Sequence, residues 1–156
     1  MISEFKRLTK KEQELMFKAP ALVTILIAGA DKTIDNAEIK EAIEQAKLKK
    51  TKENEPLREY YQAIGASFEE DIKRYIREYP KETAARNQAI VDELQGLNDI
   101  LPKLDKRFAV HFYTHLKDLA KKVAEASGGI LGFMTVAKAE AALVELTMIK
   151  NPSSSR

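Results

Sequence analysis

Apolar residues recur along this 156-residue chain at steps of three and four, and no run alternates apolar with polar as a strand would. The pattern predicts an all-α fold, a single-domain bundle of about six or seven helices. Thr9-Lys10-Lys11-Glu12 has the form of a capping box and opens a short first helix. Pro20 either breaks that helix or sits in the first turn of the next. Residues 20–30, containing ALVTILIAGA, are apolar almost all round, which places the second helix in the middle of the bundle. A third helix starts at Asp35 and fades in KLKKTKENEP at 47–56. From Pro56 a long helix reaches Tyr79 and carries Tyr61, Ile64, Phe68, Ile72, Tyr75 and Tyr79 as one core stripe. Gly65 loosens it, and Ser67 offers a restart.

After Pro80 a helix spans 83–101 with Ile90, Leu94, Leu97 and Leu101 inward. Pro102 and a cap at Asp105 open the next, whose inward residues are Phe108, Phe112, Leu116, Leu119 and Val123. SGGILGF at 127–133 is a glycine-punctuated loop, residues 136–149 form the last helix, and NPSSSR at 151–156 is a polar tail expected to be disordered.

Composition narrows the function classes. One domain over 1–150 suits the length, and such a chain buries about 68–70% of its unfolded surface without staples. There is no cysteine, which excludes disulfide frameworks, thiolate metal sites and cysteine nucleophiles. A net charge of +2 with 32% charged residues of both signs is an ordinary mixed surface, so no nucleic-acid partner is expected. The longest apolar stretch, Ala19 to Ala30, falls short of the ~20 residues that cross a bilayer, so no direct membrane insertion is expected. The charged start MISEFKRLTKK has no signal-peptide core, and the chain reads as cytoplasmic.

The chain also repeats itself. An apolar helix ends at Ala30, then come a loop, Ile34 and, four residues on, Glu38. A later helix ends at Ala126, then come a longer loop, Val136 and, four residues on, Glu140. Two helix–loop–helix units of one pattern predict a pseudo-twofold bundle with its two loops near each other.

On these residues the chain resembles the tellurite-resistance TerB family. The carriers are Ala30-Asp31 with Ile34 and Glu38, VAEASGGILGF followed by Val136 and Glu140, together with LPKLDKRFAVHFYTHLKDLAKKVA. Lys32 stands where the family has glycine, and Ser127-Gly128-Gly129 where an acid is expected. The resemblance implies a bundle of paired repeats in a cytoplasmic bacterial protein. It further implies a link to stress systems with membrane-associated partners, and acidic residues that bind divalent metal. Such proteins are binding or adaptor modules for protein partners rather than enzymes.

Two readings of the acidic segment compete. It is no EF-hand: counting from Asp31, position 3 is Thr33, position 6 is Asn36 and position 12 is Ala42, so the bidentate glutamate is missing. As helix punctuation, Asp35 is an N-cap and Glu38 occupies the third helical position, together contributing roughly 1 kcal/mol. That leaves Asp31 at the C-terminal end of the preceding helix, where the dipole disfavours its charge. As a metal site, Asp31, Asp35, Glu38 and Glu140 offer a hard divalent cation oxygen ligands, calcium or magnesium in preference to zinc.

The only two histidines, His111 and His115, lie four apart on one helix with Asp118 a helical step further. That spacing suits a transition metal in a hydrolase, although Phe112 stands where a zinc protease has its glutamate. The commoner outcome is a histidine at the core boundary bonded to a neighbour. A third possibility is a metal-free scaffold whose apolar groove receives a partner helix.

Overall fold

The computed structural model describes residues 3–29, 39–40, 43–44, 57–128 and 143–154. Its regular elements are all helical: α1 (Lys10–Ala28), α2 (Arg58–Gly65), α3 (Phe68–Glu78), α4 (Thr83–Leu94), the single turn α5 (Leu97–Ile100), and α6 (Lys106–Gly128). Short 3-10 turns stand at Ser3–Phe5, Leu101–Lys103 and Pro152–Ser154. The all-α expectation holds, but among the described residues five helices exceed one turn, fewer than the expected six or seven.

Helix α1 organises the molecule. The capping box forms as its residues require: Glu12 N–H donates to Thr9 Oγ1 (3.1 Å), and Thr9 N–H donates to Glu12 Oε1 (2.9 Å). Pro20 neither ends nor begins a helix; it lies inside α1. Lacking an N–H, it frees the Met16 carbonyl four residues earlier. The buried Tyr60 hydroxyl donates to that oxygen at 2.5 Å, so the helix continues because a side chain replaces the lost bond. From Ala19 to Ala28 every residue is buried, and α1 packs against α6, α3 and α4. Its encirclement explains why its sequence is apolar on all sides.

Two other differences from expectation are helix divisions, one with a local cause and one set by a contact with α1. The long helix divides at Ala66-Ser67, where Gly65 weakens the first half and the Ser67 hydroxyl donates to Asp71 Oδ2 (3.0 Å). The 83–101 helix divides at Gln95-Gly96, where a Cβ on Gly96 would stand 3.0 Å from Leu15 Cδ2 and 3.1 Å from Glu93 O. Glycine lets that turn close against α1. Asp105 caps α6 as expected, accepting from Phe108 N–H (3.3 Å).

The core is one cluster with an aromatic centre. Tyr60 meets Phe5 (6.3 Å), Phe17 (6.0 Å), Tyr61 (5.2 Å), Phe108 (6.3 Å) and Phe112 (5.5 Å), mostly edge to face. At the far end, the helix expected to reach Ile149 turns early. Leu146 takes φ 51°, in the left-handed region, and both Leu146 and Ile149 are buried by the turn. The expected disordered tail is folded over its first part: Pro152–Ser154 forms a turn against α6, with Pro152 buried.

Candidate functional site

The four acidic residues singled out in the sequence, Asp31, Asp35, Glu38 and Glu140, lie outside the described residues. What the structure gives is the ground from which the first three depart. α1 and α6, the leading helices of the two expected repeats, pack directly on each other. α1 ends as Gly29 N–H donates to Ile25 O (3.0 Å). The Gly29 carbonyl, one of the acceptors a helix end leaves without an intrahelical donor, receives Arg86 from α4 at 2.6 Å.

Arg86 is 5% exposed. Burial draws its guanidinium below the usual arginine range, while Glu82 acts in the opposite direction. A cation at a helix C-terminus complements the negative end of the dipole. The chain therefore leaves α1 from a fixed point beside a buried positive charge. Arg86 was missed in the sequence, yet a signal was present. In TAARNQAIVDEL it shares the stripe of Ile90 and Leu94, and an arginine among inward residues is a buried arginine.

The histidine pair is placed differently from a metal centre. His115 is buried and packs against the Tyr61 ring at 5.8 Å; His111 is half-buried, its ring edge-on to His115 at 6.4 Å. Asp118 is exposed, and burial together with the Asp118 charge drives the Tyr61 hydroxyl above its ordinary range. Among the described residues no three of His, Asp and Glu come together as a group that could hold a metal ion. The hydrolase alternative on His111, His115 and Asp118 thus lacks an assembled centre: His115 is committed to the core while Asp118 faces solvent.

A second polar cluster was also missed. Lys18 on α1 donates to Glu93 Oε2 on α4 at 2.8 Å, and the Tyr79 hydroxyl donates to Glu93 Oε1. The Lys18 ammonium sits 5.1 Å from the ring centres of both Tyr75 and Tyr79. Burial acts to lower Lys18, but its contacts with Glu93 and Tyr79 prevail and raise it. Burial, reinforced by the bond to Glu93, pushes Tyr79 up to about 12. The cluster joins α1, α3 and α4 through opposite charges and ring faces; it is a clamp with every group spent on a neighbour. Lys18 is the last charged residue before the apolar run of α1, which was its only mark in the sequence.

Among the described residues no helix is long and apolar enough to cross a membrane. No protein-family model, curated protein or solved structure matches the chain.

Proposed function

We infer that this chain is a non-enzymatic helical binding module of the TerB-like type, an adaptor for a protein partner in a bacterial stress or tellurite-resistance assembly. Its working surface is the acidic segment with Asp31, Asp35 and Glu38, joined by Glu140 of the second repeat. The observation that carries this reading is the bond from buried Arg86 to the Gly29 carbonyl. It holds the end of α1 at Gly29, two residues before Asp31 in the sequence. A held helix end leaves less chain to order when an acidic segment closes on a cation, calcium or magnesium, or on a basic partner surface. An unfolding scan with and without millimolar calcium tests it. The expected result is a higher midpoint with calcium that chelator reverses and Asp31→Ala abolishes; an unchanged midpoint refutes the ion.

The same guanidinium favours a second reading, a metal-free scaffold. Asp31 follows in the sequence two residues after the carbonyl that Arg86 binds. A protein cation near the start of an acidic segment can offset carboxylate charge that an ion would otherwise neutralise. Under this reading partner capture is unaffected by chelator; under the first it is lost.

A further inference from the structure

Away from the acidic segment, a cavity of about 230 Å³ opens between the Leu101–Lys103 turn, the first turns of α6 and the segment Lys150–Pro152. Its walls are aliphatic, from Leu101, Leu104, Ala109 and Pro152, all of them buried residues. The outer wall is fixed in place by Asn98. Its side-chain Nδ2 donates to Met148 O at 2.9 Å, and its Oδ1 accepts from Lys150 N–H at 2.8 Å. With its amide spent in this way, Asn98 adds no polar demand on a ligand.

The polar demand comes from Lys106 and Lys150, which line the cavity and are exposed. Neither ammonium has an ion-pair partner among the described residues, whereas neighbouring Lys103 is held by Glu12 at 2.5 Å. Among the described residues no carboxylate lines the space. Asp99 and Asp105 stand nearby in sequence but outside the lining, and Asp105 is occupied with the α6 cap. Two cations at the edge of an aliphatic, preformed cleft specify an occupant with one anionic group and a hydrocarbon body. The volume is below the ~300 Å³ at which drug-sized sites begin, so the body is short.

We propose that this cleft is a binding site for a small aliphatic monocarboxylate, with the carboxylate between Lys106 and Lys150 and the alkyl chain against Leu101, Leu104 and Ala109. Hexanoate is the probe, titrated into the isotope-labelled full chain and followed by amide chemical shifts. Hexanoate is expected to move Leu104, Ala109 and Lys150 together and saturably. Hexanol should bind at least tenfold more weakly, and hexylamine should move none of the three. The double variant Lys106→Met/Lys150→Met should lose at least tenfold in hexanoate affinity at an unchanged thermal midpoint, since both side chains are exposed. From butanoate to hexanoate each methylene should tighten binding about fourfold, the apolar walls supplying the gain. No shifts at these residues, hexanol binding as tightly as hexanoate, or undiminished binding by the double variant would overturn the site.

Discussion

Replacing Tyr60 by phenylalanine takes a single oxygen from the centre of the core, and the structure says what that oxygen is for. Pro20 has no N–H to give the Met16 carbonyl, and the Tyr60 hydroxyl stands 2.5 Å from it in fully buried surroundings. The ring contacts of Tyr60 survive the substitution, so the loss is the hydrogen bond alone. A buried acceptor left without a donor costs about 1–3 kcal/mol. Against a total stability of roughly 5–15 kcal/mol that is a readily measured fraction. The informative experiment repeats the substitution in a Pro20→Ala background, where residue 20 regains an N–H for the Met16 carbonyl. Urea unfolding of the parent, both single variants and the double variant gives the coupling energy, provided the m-value is unchanged. Tyr60→Phe should cost at least about 1 kcal/mol less when residue 20 is alanine. Equal costs in the two backgrounds, within about 0.3 kcal/mol, would refute the link between proline and tyrosine.

Three further outcomes follow from the same structure. Arg86→Ala should cost about 1.5–3 kcal/mol in urea unfolding, because it strips a charged donor from the carbonyl that ends α1; an unmoved midpoint would contradict that role. Gly96→Ala should destabilise by about 1 kcal/mol, since a Cβ there crowds Leu15 and the Glu93 carbonyl; a gain in stability would contradict the close approach. At alkaline pH, Tyr60, Tyr61, Tyr79 and Lys18 all have raised folded values, with Tyr79 near 12. Their contribution is complete below the unfolded values, near 10, and declines as pH rises through the folded ones. Tyrosinate absorbance should therefore show at most two of the five tyrosines ionised before helicity is lost; a third ionising in the helical state would contradict the burial.

Periodicity and capping chemistry made the fold class legible. The Thr9 and Asp105 caps, the buried run of α1 and the inward stripe of α6 all follow from local sequence, and the structure has them. Continuity was not legible. Local sequence makes Pro20 a boundary, because a proline's effect on a helix depends on whether a donor from elsewhere replaces the missing bond. That donor, Tyr60, is supplied from 44 residues away. Conversely, the split at Gln95-Gly96 depends on Leu15, far back in the chain, and no local pattern announces it. The polar features were least visible. Arg86, Lys18 and Glu93 acquire their importance from partners on other helices, and only Arg86 left a trace, as a charge on an apolar stripe. The acidic quartet of Asp31, Asp35, Glu38 and Glu140 rests on repeat spacing and on the family resemblance.

Calorimetric titration of the native chain with calcium decides whether the two repeats share one ion. One calcium should bind per chain, with the heat abolished by Asp31→Asn and equally by Glu140→Gln, one residue from each repeat. No heat beyond dilution at millimolar calcium, or binding that Glu140→Gln leaves intact, would contradict it.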